Sequence, residues 1–270
     1  MKTNLILGDC LKTLPKLQED QFDLTVTSPP YNLGIDYSSF KDTAPRDEFL
    51  EWCNHWTAEV KRTLKQDGSF FLNIGAAPSD PLLPHQLILN LTQGPEPLFI
   101  LQNTFHWIKS ITIETKSGEQ VSAGHFKPIN SNRYVNDCHE YVFHLTKTGN
   151  VQLDRRAAGV PYQDKSNISR WGHTEGRDLR CRGNNWFIPY ETIGSRKGQR
   201  PHPATFPVAL VEQCIKLHGK AQSTQLLDPF LGIGSSALAA KRQDIQSFTG
   251  IEIDPEYLAV SKDRVAGTLL

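Results

Sequence analysis

Residues 225–240 read QLLDPFLGIGSSALAA, an apolar run that leads through an acid, a proline and a glycine-rich turn into a helix-like segment. Gly232, Gly234 and Ala237 follow the spacing G-x-G-x-x-A. Between a strand and a helix, this spacing is typical of nucleotide-cofactor sites, because glycines let the backbone approach the ligand closely. Glu252 stands 20 residues after Gly232, at the end of the next apolar run, where an acid accepts hydrogen bonds from ribose hydroxyls.

The position of this turn in the chain indicates an unusual strand order. Only 18 residues follow Glu252, so the other strands must come from the amino-terminal half. The alternation of strand-like and helix-like runs predicts an α/β protein with a circularly permuted Rossmann-like fold: a mostly parallel, seven-stranded sheet with helices on both faces. Permutation favours S-adenosylmethionine over NAD, whose enzymes usually open with the glycine turn. We predict strands over 5–7, 22–26, 69–74, 98–107, 140–145, 225–227 and 248–253, and helices over 47–64, 207–217, 235–242 and 255–265.

A second motif, Thr27-Ser28-Pro29-Pro30-Tyr31, follows the strand-like run 22–26. The two prolines stiffen the turn and supply no N–H donors, so Ser28 and the Pro29 carbonyl can accept hydrogen bonds from an amine. Such acceptors favour the charge that develops on an exocyclic amine during alkylation. Tyr31 offers a ring face for an extruded base. Together, the two motifs predict methyl transfer to the amino group of a nucleobase, although each alone is also compatible with a plain turn.

Basic charge is concentrated in one non-periodic segment. The formal net charge of the chain is zero, yet residues 151–200 hold ten Lys and Arg against five Asp and Glu. We interpret this segment as an insertion that contacts DNA, where basic residues neutralise phosphates or read base edges. Trp52, Trp56 and Trp107 are assigned to core packing. The candidate contacts are Arg155, Arg156, Lys165, Arg170, Arg177, Arg180, Arg182, Arg196, Lys197 and Arg200, and Asn167, Trp171 and His173 lie among them.

Composition excludes several other classes of protein. Five scattered cysteines, none in a CxxC pair, argue against a disulfide framework and a zinc site, so we predict no metal. No run reaches the length of a membrane span, and the start of the chain does not resemble a signal peptide, which predicts a cytoplasmic location with the DNA.

The two motifs in this order resemble the β-class of S-adenosylmethionine-dependent DNA amino-methyltransferases, and the likeness spans nearly the whole sequence. It also covers Gly8-Asp9, the strand 139–143, and His202-Pro203-Ala204-Thr205-Phe206-Pro207. The serine at position 28 is typical of the family's cytosine-N4 enzymes, whereas adenine-N6 enzymes usually carry Asp or Asn there. The resemblance implies catalytic roles for Ser28, Pro29, Pro30 and Tyr31, and cofactor contacts from Asp9, Asp228, Phe230, Gly232, Gly234, Ser235, Glu252, Thr205 and Phe206.

These observations predict a cytosine-N4 methyltransferase that flips its target base out of a short double-stranded DNA site. The core covers 1–150 and 196–270, and the target-recognition insertion covers 151–195. The chain is a monomer or homodimer, with or without a cognate restriction endonuclease. Three alternatives stay open: an adenine-N6 enzyme of the same fold, a nicotinamide oxidoreductase, and a non-catalytic DNA-binding module.

Overall fold

The computed structural model describes residues 1–124, 130–189, 205–219 and 223–267. Three of the basic residues that were predicted to contact DNA, Arg196, Lys197 and Arg200, lie outside the described residues. The first three residues of the predicted 202–207 motif also lie outside them.

Ten strands lie in the described part of the chain. They are β1 (Lys2–Leu7), β2 (Phe22–Thr27), β3 (Leu64–Ile74), β4 (Ile100–Ile108), β5 (Ser110–Glu114), β6 (Gln120–Gly124), β7 (His139–Thr146), β8 (Asn185–Phe187), β9 (Gln225–Asp228) and β10 (Ser247–Glu252). Eight of them form one sheet in the order β1-β10-β9-β2-β3-β7-β4-β8, while β5 and β6 form a separate antiparallel hairpin. The first five strands of the sheet are parallel, and β7 runs antiparallel to both of its neighbours.

Helices cover both faces of this sheet. The α-helices of the described residues are α1 (Cys10–Thr13), α2 (Arg46–Thr63), α3 (Leu83–Thr92), α4 (Ser166–Arg170), α5 (Val208–His218), α6 (Ser235–Arg242) and α7 (Pro255–Ala266), and all but the short α4 pack on the sheet. The buried residues of α1, α2 and α3 form one apolar core with the sheet, and those of α5, α6 and α7 form the other. In α2 the apolar side chains of Phe49, Cys53, Trp56 and Val60 recur at helical spacing, which turns one stripe of this helix toward the sheet.

The predicted fold class is confirmed: all seven predicted strands and all four predicted helices are present. The sheet has one strand more than predicted, because β8 adds three residues beside β4. Sequence reasoning also missed the β5–β6 hairpin and α3. The helix α3 opens with Leu83-Pro84, where proline reads as a turn signal although the first turn of a helix accepts it readily.

The two motifs meet at the centre of the sheet. Strands β9 and β2 are neighbours and run parallel, with Thr25 opposite Leu227. Their carboxyl ends therefore lie side by side, and each end continues into one of the motifs. This is the crevice at which open α/β sheets bind their ligands.

Candidate active site

A cavity of about 300 Å³ opens at the carboxyl ends of these strands. Tyr31 of the amino-terminal motif and Gly232 of the glycine turn both line it, although they are far apart in the chain. Most of the predicted site residues line the same cavity. Those that line the cavity are Asp9, Ser28, Pro29, Pro30, Tyr31, Thr205, Phe206, Phe230, Gly232, Ser235 and Glu252.

Asp228, predicted to contact the cofactor, does not line the cavity. Its carboxylate is fully buried and accepts hydrogen bonds from the Thr27 hydroxyl at 2.5 Å, the Phe230 amide at 3.0 Å and the Ser236 hydroxyl. Burial raises the pKa of Asp228 to about 6, against the opposing effect of these hydrogen bonds. This side chain ties β9 to the end of β2 and shapes the turn from behind.

Gly234, which was also predicted to contact the cofactor, does not line the cavity. It begins α6 with φ of +83°, and a Cβ atom built on it would lie 2.3 Å from the Ser261 hydroxyl oxygen of α7. The absence of a side chain here allows α6 and α7 to approach each other closely.

The glycine turn is fixed in place by Glu252. The amide of Gly232 donates a hydrogen bond to one oxygen of this carboxylate at 2.7 Å, and the amide of Asp254 donates to the other at 2.9 Å. Burial raises the pKa of Glu252 above its ordinary value. Each oxygen keeps a second lone pair, so the side chain can hold the turn and accept a further hydrogen bond from a ligand.

The wall of the cavity between the two motifs is aromatic. The Phe230 ring packs 5.0 Å from Trp56 and 5.5 Å from Trp52, measured between ring centroids. Trp56 is fully buried, as predicted for a core residue, whereas Trp52 is half-buried and lines the cavity. Trp107 is buried and also lines it. Trp52 and Trp107 therefore serve the cavity as well as the core.

The loop that follows the Ser-Pro-Pro-Tyr turn closes over one side of the cavity. The Asp42 carboxylate organises this loop by accepting hydrogen bonds from the amides of Asn32 at 2.7 Å and Leu33 at 3.0 Å. The Ser39 hydroxyl donates to the Asp254 carboxylate at 2.7 Å, and Ser38 donates to the same oxygen. The loop is thereby joined to the amino-terminal end of α7.

Sequence reasoning missed a polar network at the Tyr31 end of the cavity. The Tyr31 hydroxyl lies 2.7 Å from the Ser28 hydroxyl and 3.0 Å from Glu140, while the Asn73 amide contacts both Tyr31 and Glu140. Lys109 forms an ion pair with Glu140 at 3.1 Å. One sequence signal was available for Asn73, because it is a polar residue near the end of the apolar run 70–74. No comparable feature of the sequence distinguishes Lys109.

The predicted insertion is joined to the main sheet at its carboxyl end. β8 belongs to that sheet, and Trp186 is buried against Phe105 with ring centroids 4.3 Å apart. Between its ends lie the short helix α4 and an isolated bridge between Val160 and Arg180. Both ends of residues 151–184 also contact the sheet: Val151 exchanges hydrogen bonds with the Gln102 side chain of β4, and the Asn184 carbonyl accepts one from the amide of His106.

Internal ion pairs use part of the basic charge of this segment. Arg156 and Arg177 both pair with Glu175, and Lys165 pairs with Asp178. Among the described residues, Arg155, Arg170, Arg180 and Arg182 are exposed and form no ion pair. Within the described part of the segment, these four arginines carry the positive charges that no ion pair compensates.

Within the described ranges, no group of three or more His, Cys, Asp or Glu side chains is arranged to hold a metal ion. No helix in the same ranges combines the length and the apolar character that a membrane crossing requires.

A permuted α/β sheet with an aromatic, acid-lined cavity at its switch point defines a methyltransferase fold. The chain belongs to the N6_N4_Mtase family of DNA methylases, whose family model matches residues 22–263. The type II methyltransferase M.ScaI of Streptomyces caespitosus is 31% identical over 96% of this chain and 79% of its own length.

Solved structures share the fold. The PvuII DNA methyltransferase, described as cytosine-N4-specific, superimposes with a TM-score of 0.70 at 20% identity, covering 98% of this chain and 86% of its own. A DNA modification methylase of Thermus thermophilus, solved with S-adenosylmethionine, gives a TM-score of 0.62 at 22% identity, covering 99% of this chain and 94% of its own.

S-adenosylmethionine is therefore the cofactor of this DNA methyltransferase, and the cavity suits it. The carboxylates of Asp9 and Glu252 supply acceptors for hydroxyl and amino groups. Phe230 and Ile253 provide apolar surface for a heterocycle, and the backbone of Gly232 is open to close approach.

Proposed function

We propose that this DNA methyltransferase methylates the exocyclic N4 amine of a cytosine that is flipped out of a short duplex site. Bound S-adenosylmethionine supplies an electrophilic methyl group, and the protein aligns an amine with it. Positioning is the main demand, because the lone pair of the amine is delocalised into the ring and the nitrogen is a weak nucleophile.

The observation that supports cytosine is the residue at position 28. Ser28 is a neutral hydroxyl on the cavity wall beside Pro29, and no carboxylate or amide side chain takes its place. The hydroxyl and the Pro29 carbonyl can accept the two N–H groups of the amine, which draws the nitrogen toward tetrahedral geometry. A serine at this position is typical of the cytosine-N4 members of the β-class DNA amino-methyltransferases that the sequence resembles. The adenine-N6 members usually carry Asp or Asn there.

In this proposal, one part of the cavity holds the cofactor and another part holds the target base. Asp9, Phe230, Gly232, Ser235 and Glu252 would contact the cofactor, with Asp228 and Gly234 supporting the turn from behind. Thr205 and Phe206, which also line the cavity, would contact the methionine part. Ser28, Pro29 and Tyr31 would hold the base, with Pro30 shaping the turn.

DNA contact is assigned to residues 151–195, and chiefly to the exposed arginines of 151–184. Trp171 lies among them, 43% exposed and stacked on His173 with ring centroids 5.6 Å apart. An exposed aromatic ring suits stacking on a base, and exposed guanidinium groups that form no ion pair suit contacts to phosphates. The segment is small, which favours a short recognition site.

The decisive experiment is to methylate a library of synthetic duplexes with the purified protein and to identify the modified nucleoside by mass spectrometry. N4-methylcytosine supports the proposal. N6-methyladenine would assign the adenine alternative, which the family also contains.

A substitution at Tyr31 tests the placement of the base. Tyr31→Ala removes the ring face, so we expect turnover to fall about 10- to 100-fold, the magnitude of one base-stacking contact. Binding of S-adenosylhomocysteine, measured by calorimetry, should change less than about twofold. A parallel loss of both would place Tyr31 at the cofactor end of the cavity.

A further inference from the structure

We propose that Glu140 acts through Tyr31 to fix the direction of the Ser28 hydroxyl, so that Ser28 turns its lone pairs toward the target amine. The inference rests on the proposed function and assigns positioning roles to two groups of the same site. Glu140 lies on the antiparallel strand β7, far in sequence from the Ser-Pro-Pro-Tyr turn.

Three oxygen atoms form a short chain at this end of the cavity. The Ser28 hydroxyl oxygen is 2.7 Å from the Tyr31 hydroxyl oxygen, which is 3.0 Å from one carboxylate oxygen of Glu140. Ser28, Tyr31 and Glu140 all line the cavity, and Glu140 is only 8% exposed. The carboxylate is therefore nearly removed from water and satisfied by protein donors.

The number of available protons decides which atom is the donor in each of these two hydrogen bonds. A tyrosine hydroxyl carries one proton, and an ionised carboxylate can only accept, so Tyr31 donates to Glu140. The tyrosine oxygen must then act as the acceptor in its contact with Ser28, which makes Ser28 the donor. With its single proton directed at Tyr31, Ser28 has only lone pairs to present to a ligand.

The Asn73 side chain reinforces the same direction. Its amide nitrogen lies 2.6 Å from the Glu140 carboxylate and also contacts the Tyr31 oxygen. The reverse orientation would place the amide oxygen against a carboxylate, so the nitrogen must face this pair. Lys109 pairs with the other carboxylate oxygen at 3.1 Å, and its charge compensates that of Glu140. Glu140 thus serves as an acceptor held by three donors.

A glycine makes room for this arrangement. A Cβ atom built on Gly75 would lie 3.0 Å from Cγ of Glu140 and 3.1 Å from Cε2 of Tyr31. Both distances are tighter than ordinary contacts, so a larger residue at position 75 would push the two side chains apart. The backbone here is shaped to let Glu140 and Tyr31 meet.

The functional consequence concerns the charge that the amine develops. A freely rotating serine hydroxyl can point its proton at the amine, where it opposes the positive charge that forms on nitrogen during alkylation. A hydroxyl whose proton is committed elsewhere accepts an N–H bond at every encounter. The two hydrogen bonds that connect Glu140, Tyr31 and Ser28 thereby make the neutral Ser28 hydroxyl behave toward the amine as an acceptor only, like a carbonyl oxygen.

A mutant cycle tests the proposal through the single-turnover rate of methyl transfer at saturating cofactor and DNA. Tyr31→Phe keeps the ring but breaks the series of hydrogen bonds, so we expect the rate to fall about tenfold, the value of one hydrogen bond. The KM for DNA, measured separately in the steady state, should stay within about twofold. In a Ser28→Ala or Ser28→Asn background the same change should alter the rate less than about twofold. Alanine has no hydroxyl to orient, and the Asn carbonyl accepts without one. Glu140→Gln should likewise lose its effect in a Tyr31→Phe background.

Controls separate the outcomes. Tyr141→Phe removes a hydroxyl whose contact is the exposed His85 at 3.4 Å, and we expect it to leave the rate unchanged. Equal losses from Tyr31→Phe in all three position-28 backgrounds would overturn the proposal, as would an unchanged rate in the wild-type background. The cycle is measured on whichever amine the wild type modifies. An N6-methyladenine product thus refutes the cytosine assignment while the cycle still decides the role of Glu140, and a wild type that transfers no methyl group to DNA refutes both.

Discussion

Replacing Gly234 by alanine should destabilise the protein through the packing of α6 on α7. Gly234 adopts φ of +83°, and an added Cβ would lie 2.3 Å from the Ser261 hydroxyl oxygen and 3.0 Å from its Cβ. A left-handed conformation costs an L-residue about 1–2 kcal/mol, and forcing an extra carbon into a packed core costs about 1–3 kcal/mol. The free energy of unfolding should therefore fall by about 2–5 kcal/mol.

Gly267 provides a matched control for the backbone contribution. It follows α7 with φ of +84°, nearly the same value, and a Cβ built there would have no described atom within 4 Å. Gly267→Ala should therefore show only the conformational cost of about 1–2 kcal/mol. The difference between the two variants, measured by urea unfolding, isolates the steric cost at position 234.

A second substitution identifies the atom responsible. The Ser261 hydroxyl is buried and has no hydrogen-bond partner among the described residues, so Ser261→Ala alone should change stability by less than about 1 kcal/mol. Combined with Gly234→Ala, it should restore about 1–3 kcal/mol. Additive losses in the double variant would refute the packing role and return Gly234 to the cofactor contact that its motif suggests.

Two further predictions concern pH and salt. Burial lowers the pKa of His144 to about 3 from an ordinary value of 6.5. Between pH 6.5 and pH 3, the unfolded chain therefore binds a proton at His144 that the folded chain does not bind. The free energy of unfolding is unaffected by this group above pH 6.5 and falls toward pH 3, by up to about 5 kcal/mol. In urea unfolding, the margin of the wild type over His144→Phe should shrink on acidification, and a constant margin would contradict this. Arg170→Ala should lower the slope of log affinity for DNA against log salt by about 0.9, whereas Arg177→Ala, whose guanidinium pairs with Glu175, should lower it less. If the two variants gave the same salt slope, the protein surface that contacts DNA would lie elsewhere.

The fold and the two motifs were predictable because each depends on a local signal. Strands such as 22–27 and 247–252 contain aromatic and β-branched residues and are bounded by turns, and β9 is followed within a few residues by glycines that suit a turn. The carboxyl ends of parallel strands share one edge of the sheet, so the predicted parallel sheet was enough to bring Tyr31 and Gly232 to that edge, where both line the cavity.

The polar network was not predictable because it depends on strand register. Ile74 pairs with Tyr141 across the antiparallel ladder, which brings Glu140 to the end of β3 beside Asn73. Ile108 pairs with His139 in the next ladder, and this delivers Lys109 to the same carboxylate. A shift of one residue in either ladder would turn these side chains to the other face, and no local pattern in the sequence fixes that choice.

The roles of Asp228 and Gly234 show a different limit of motif reasoning. Both belong to the glycine-turn stretch, yet one is a buried acceptor for protein hydroxyls and the other a contact point between helices. A motif is a run of residues that together produce one backbone shape, and only some of its members face the ligand. Sequence spacing identifies the shape but does not say which side chains line the cavity and which hold the turn from behind.

The hydrogen bond between Thr27 and Asp228 explains why chain order matters little for this chemistry. It joins residues 201 positions apart at 2.5 Å, and each is followed at once by the turn that we propose holds one reactant. The loop after Tyr31 adds a second connection, since Ser39 binds Asp254 at the start of α7. The Ser-Pro-Pro-Tyr turn, which we propose holds the base, is thus fixed on two sides to the elements that we propose hold the cofactor. A reaction that depends on aligning a weak nucleophile with a methyl donor requires such rigid spacing. Neighbouring strands supply this rigid spacing in whichever order the two motifs occur along the chain.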